Sequence, residues 1–144
     1  MRTKKEAAKA AQKIIGLPAK YTAFDVGCCC VEFDSVPAIG LCVPIRVMFD
    51  VSIFSFSDEE QRAIFMHEKG HIVAYRTGLP FHVTRSHMKD CQAGSIIYDW
   101  SEAEADIYVA KHIGIKKTVK LVDKLCPTPY RKQYLLRLWK ERKQ

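Results

Sequence analysis

Apolar positions along this chain change their spacing several times, and each change marks an element. Residues 4–15, KKEAAKAAQKII, are strong helix formers that end at Gly16 and Pro18, which predicts a helix with a built-in stop. Residues 26–34 and 41–56 are rich in Val, Ile, Phe and Cys and are punctuated by Pro37, Gly40 and Pro44, so they predict strands. Alternation within Arg46–Phe54 is imperfect, as expected of a strand buried over much of both faces. Ser57-Asp58-Glu59-Glu60 then forms a capping box, in which the serine side chain accepts from the third helical amide and Glu60 reaches back to the serine amide. Ile64, Phe65, Ile72 and Val73 follow at helical spacing, and Gly78 with Pro80 ends the run, which predicts a helix from Ser57 to Thr77. Residues 79–98 are expected as loop with one or two short strands, Ser95–Tyr98 among them. A second helix is predicted from near Ser101 to about Ile113 and a third over much of 115–125. After Pro127 and Pro129 a basic helix carries Tyr134, Leu135, Leu138 and Trp139 on its apolar side.

Composition narrows the class. With 144 residues, 48% hydrophobic and 27% charged, the chain fits a single globular domain, 1–144, large enough to bury a core. No internal repeat or low-complexity linker divides it, and no apolar run approaches the ~18–20 residues of a membrane span. The basic N-terminus, MRTKKEAAKAAQ, is not followed by the apolar stretch of a signal peptide, so a cytoplasmic protein is expected. Cys28, Cys29 and Cys30 are consecutive, Cys42, Cys91 and Cys126 are scattered, and no C-x-x-C pair occurs. That pattern argues for reduced, mostly buried thiols over a disulfide framework or a zinc ribbon.

Charge changes the picture at the two ends. Residues 1–20 carry six Lys/Arg against one acid, and residues 116–144 carry ten against two, whereas residues 21–115 carry seven against thirteen. The basic termini offer a contact for nucleic acid or an acidic partner, although a solvated face that keeps the protein soluble is the simpler reading.

The candidate chemistry lies in the less basic middle. Phe65-Met66-His67-Glu68-Lys69-Gly70-His71 contains H-E-x-x-H inside the capped helix. Residues four apart share a helix face, so both imidazoles can point at one ion, while Glu68 projects beside them as a base for a water that the ion acidifies. Two surface histidines bracketing a solvated Glu-Lys pair would produce the same letters; the strand, capped helix start and mid-helix placement favour the metal site.

A catalytic zinc usually takes three protein ligands. His82, His87, Glu102, Glu104 and Asp106 are the downstream candidates; Ala74 and Thr77 stand where a metzincin would carry glycine and histidine. Glu102 and Asp106 fall on one helix face, so Glu102 can ligate while Asp106 accepts the ring N–H of a ligating histidine. Glu104 lies on another face, three residues after Ser101, as a capping-box partner would, and Ala103 and Ala105 would let the helix approach its neighbour closely. An acidic helix start that satisfies the dipole is the plainer alternative.

His67-Glu68-Lys69-Gly70-His71 followed by Glu102-x-Glu104-Ala105-Asp106-x-Tyr108-Val109-Ala110 resembles the gluzincin pattern, H-E-x-G-H then E-x-E-A-[ND]-x-[FY]-x-A, and within it the ImmA/IrrE-type metallopeptidases. FDVSIFSFSDEEQRAIFMHEKGH is also similar to the segment preceding the motif in HtpX-like peptidases, membrane proteins whose spans this chain lacks. The resemblance covers about residues 45–113 and leaves 115–144 as a basic helical extension. It implies an α+β zincin-like domain, in which a small sheet packs on an active-site helix and a glutamate-bearing helix. It further implies zinc ligands His67, His71 and Glu102, the base Glu68, and a substrate strand docked along the sheet edge. Lys69 stands where the family usually has an apolar residue.

The expected function is therefore zinc-dependent hydrolysis of a peptide bond in an intracellular protein. A non-catalytic module of the same fold, binding nucleic acid or an acidic protein through its basic ends, is the main rival. A zinc hydrolase of non-peptide substrates is the second. Tyr98, Tyr108, His82, His87 and His112 are candidates for stabilising an oxyanion, and Cys91 is a candidate thiolate for capping the zinc in a latent form.

Overall fold

Thr3 starts the first helix, α1 (Lys4–Ile15), by accepting the amide of Glu6 at 3.1 Å, and Gly16 ends it at φ 80°, donating its amide to the Gln12 carbonyl. A left-handed residue at that point is what makes glycine the natural stop. Ala7, Ala11 and Ile15 form its buried stripe. The computed structural model describes residues 1–36, 41–76, 100–126 and 129–143. They fall into two compact units, Met1–Lys69 and Gly70–Gln144, with the boundary inside the second helix, α2 (Asp58–Arg76).

The first unit carries a mixed three-stranded sheet. Strand β3 (Leu41–Phe49) lies at its centre, parallel to the short β1 (Ala19–Tyr21) and antiparallel to β2 (Cys29–Val36). The sequence pattern missed β1, because three residues are too few to show a period. Glu32 pairs with Arg46 and Phe33 with Pro44, which leaves Ile45 as an extra residue on β3. Pro44 has no amide to give the ladder, and a bulge accommodates it. Val47 and Phe49 are buried, and the Phe49 ring meets Tyr21 and Phe65 edge-on at 5.9 and 6.1 Å.

Two strand boundaries differ from expectation for one local reason. β3 ends at Phe49, and Val51–Ser55 is a 3-10 turn in place of the strand expected to residue 56. β2 starts at Cys29, not residue 26, because Gly27 and Cys28 have φ of 70° and 80° and break the extended run. The buried Asp50 organises both segments, accepting the amides of Val26, Cys28 and Ser52 at 2.9, 3.1 and 2.9 Å, and also the Ser52 hydroxyl. Burial pushes its carboxyl up, but the Ser52 hydroxyl and the three amides together outweigh burial and hold it below the ordinary aspartate value. A depressed native value means the stabilisation is present above the unfolded pKa and is lost as the carboxyl protonates. Stability should therefore fall below about pH 4, with a shallower acid slope in Asp50→Asn than in wild type when unfolding is followed across pH.

The predicted capping box forms. The Ser57 amide donates to Glu60 Oε1 at 2.9 Å and the Glu60 amide to Ser57 Oγ at 3.2 Å, and α2 runs from Asp58 to Arg76. Thr77, expected as its last residue, lies outside the described residues, as do 79–98 with their expected loop and strand.

In the second unit three helices pack together: α3 (Trp100–Ile113), α4 (Ile115–Leu125) and α5 (Pro129–Lys143). Ala103 and Ile107 of α3, Val122 of α4, and Leu135 and Leu138 of α5 form its core, with Tyr134 and Trp139 packed against it as their spacing predicted. A single residue, Gly114, joins α3 to α4 at φ 93°, where a side chain would be strained. Both Glu104 oxygens receive the Arg142 guanidinium, tying α3 to the end of α5. The described residues thus contain five α-helices and a mixed sheet, an α+β architecture, and no helix among them is long and apolar enough to cross a membrane.

Candidate metal centre

The H-E-x-x-H residues occupy the middle of α2, so His67 and His71 are one turn apart on one helix face. Both are buried, and so is Glu68 between them. In a helix whose start is charged and whose flanks bear Arg62 and Lys69, burial of three polar residues in five marks an interior site, not a solvated surface. Lys69 points elsewhere: its ammonium reaches the C-terminal end of α1 and donates to the Ile15 carbonyl at 3.3 Å. A cation at a helix C-terminus is favourable there, which gives Lys69 a structural role.

Glycine at position 70 has a packing cause. A methyl group on it would come within 2.8 Å of Ala105 Cα, 3.1 Å of Tyr108 Cβ and 3.2 Å of the Ala105 carbonyl oxygen. Ala105 is therefore the small residue that permits close approach, while Ala103, also expected to do so, belongs to the α3–α5 core. That contact sets Glu102 against His71: His71 Nε2 and Glu102 Oε1 are 2.8 Å apart, and both side chains are buried. Gly70→Ala is a useful probe. Alanine favours a helix by about 1 kcal/mol over glycine, but the methyl would strike backbone, which cannot swing aside. A net loss of about 1–3 kcal/mol in denaturant unfolding is expected.

His67, His71 and Glu102 each offer one ligand atom, and these atoms lie within 4.8 Å of one another. Convergence on that scale suits donors that each stand about 2.0–2.2 Å from a common ion. Two imidazoles and one carboxylate are a borderline-soft donor set suited to zinc and its first-row neighbours. A third helix reaches the back of the cluster. Buried Asp106 and Glu102 face one buried guanidinium, Arg131, which donates to Asp106 from Nε at 3.0 Å and Nη2 at 2.8 Å and stands 3.7 Å from Glu102 Oε2.

No known family, curated protein or solved structure matches this chain. What the cluster does must be read from its own residues. It can hold a metal ion, and every expected ligand is present in it.

Around the expected base, Cys28 and Cys29 are buried free thiols. Burial pushes the Cys28 thiol up to about 12, with Asp50 and Glu68 adding to the rise and a Ser52 hydrogen bond opposing it. Cys29 is raised well above its ordinary value by burial first and then by the Glu68 carboxylate. Both are protonated at neutral pH and poor nucleophiles. Glu68 thus lies close enough to the start of β2 for its charge to be felt by both thiols.

Among the oxyanion candidates, His112 is exposed, its Nδ1 2.7 Å from the Tyr108 carbonyl and its ring 4.4 Å from the Tyr108 ring. Those contacts describe an ordinary pair of residues four apart on α3. His82, His87, Tyr98 and Cys91 lie outside the described residues. The residue that sequence reasoning missed is Arg131. It sits on α5 in the same stripe as Leu135 and Leu138, four and seven residues on, and a charged residue on an apolar stripe was its signal.

Proposed function

We propose that this chain is a zinc metallopeptidase of zincin-like fold, hydrolysing peptide bonds in an intracellular protein substrate. The buried His67–His71–Glu102 cluster, with Glu68 next in sequence to the first ligand, carries the proposal. His67 and His71 bind from one rigid helix, and Glu102 binds from α3, held against His71 by the Gly70–Ala105 contact. A zinc ion held by this set would supply Lewis acidity, which polarises a carbonyl and lowers the pKa of water. Glu68 takes the proton from the attacking water and delivers it to the departing amine. Arg131 donates to Asp106 and lies 3.7 Å from Glu102 Oε2, on the side away from His71.

The test is elemental analysis of the purified protein with hydrolysis of a fluorogenic peptide library before and after zinc removal. About one zinc per chain, with cleavage that disappears on chelation and returns on reloading, is the expected result. A zinc-free protein that stays zinc-free after reloading would reduce the 2.8 Å His71–Glu102 contact to a buried structural pairing. It would favour the binding module that uses its basic ends. Zinc without peptide cleavage would move weight to a hydrolase of another substrate class.

A further inference from the structure

Helix α5 reads in the sequence as a basic extension beyond the ligand-bearing segments, yet it delivers a buried guanidinium to the back of the third ligand. Arg131 makes two hydrogen bonds to Asp106, at 3.0 and 2.8 Å, and the same Nη2 lies 3.7 Å from Glu102 Oε2. The two oxygens of Glu102 are thereby distinguished. Oε1 faces His71 Nε2 at 2.8 Å, and Oε2 faces the guanidinium.

This arrangement follows from how α3 and α5 pack. Glu102 and Asp106 are four residues apart on one face of α3, and Ala103 and Ile107, one residue after each, enter the core beside Leu135 and Leu138 of α5. Arg131 precedes Leu135 by one turn on the same stripe, so the contact that buries the leucines sets the guanidinium across the carboxylate pair. A guanidinium is suited to this post: it is planar, permanently charged and able to serve two carboxylates from fixed directions.

We propose that Arg131 is a positioning residue that sets the metal affinity of the site, holding Glu102 in the orientation in which one oxygen is presented for ligation. The proposal rests on the cluster being a zinc site, and it adds α5 to the elements that site requires. With Arg131 present, Glu102 loses less freedom on binding an ion, because the guanidinium charge 3.7 Å away already attracts its second oxygen. Without it, the second oxygen of Glu102 loses the positive charge that faces it. Removal of such an outer support typically weakens metal binding by about 10–100-fold.

Arg131 also pins α5 to α3 through Asp106, so the experiment must separate a support for the ligand from a support for the fold. Zinc dissociation constants would be measured by competition with a chromogenic chelator for wild type, Arg131→Met and Arg131→Lys. Melting temperatures of each would be taken with and without zinc. Lysine keeps the charge but presents a single point that cannot serve both carboxylates from fixed directions. It also keeps the protein folded should methionine not. The expected result is a dissociation constant about 10–100-fold weaker in Arg131→Met and an intermediate loss in Arg131→Lys. The rise in melting temperature that zinc produces should shrink in both, because a stabilisation by ligand follows its affinity. Unchanged affinity in both variants, or equal falls in melting temperature with and without zinc, would overturn the proposal and leave the zinc site standing. A wild-type protein that binds no zinc would overturn both.

Discussion

Glu68→Gln is expected to bind zinc as tightly as wild type and to hydrolyse peptides about 100- to 10,000-fold more slowly. The amide copies the shape of the carboxylate but cannot accept the proton of an attacking water. Zinc content should not change, because the proposed ligand atoms belong to His67, His71 and Glu102. The fold should also tolerate the change, since glutamine keeps the volume of a buried side chain and removes a negative charge from beside two buried thiols. Burial is the larger cause of the high Cys28 and Cys29 values, so both thiols stay protonated in the variant. Zinc analysis and single-turnover cleavage on the same preparation check the prediction. Undiminished turnover would place the base elsewhere, and parallel loss of zinc would make Glu68 a ligand.

Glu102→Ala should lose zinc outright under conditions where wild type retains it, a weakening beyond the roughly 100-fold expected for an outer support. The structure also says why this variant should still fold. With Glu102 gone, Arg131 and Asp106 remain a bidentate pair of opposite charge, so no buried charge is left alone. Glu104→Ala is the matched control. Glu104 is the other glutamate of the E-x-E segment, but its carboxylate faces Arg142, so its loss should leave zinc content at the wild-type level. Equal zinc in all three proteins would remove Glu102 from the ligand set.

Much of this was legible because it is local. Helix boundaries at Gly16, Ser57 and Gly114 follow from backbone chemistry within a few residues, and the pairing of His67 with His71 needs only a helix. Glu102 required a second helix and a spacing, both visible in sequence. What was hidden depends on partners distant in the chain. Asp50 reads as one more strand residue until Val26 and Cys28 are seen donating to it, and that bond ends one strand and delays another. Arg131 reads as one of many cations in a basic helix, because nothing in a single sequence reports that its partner is Asp106. The other described cations of α5 are exposed or half-buried, as either a solvated face or a docking surface would have them, whereas Arg131 is buried against Asp106 and fits neither reading.

Arg131 follows every ligand in the sequence, and this gives the site a history in time. A ribosome releases His67, His71 and Glu102 before it releases α5, and domains form as their parts emerge. The nascent chain would pass through an interval with its ligands in hand but without the guanidinium and the leucine stripe that settle Glu102. The candidate ligand set is thus complete in the growing chain before the residue that faces its glutamate, and a nascent site would first meet an ion without that support.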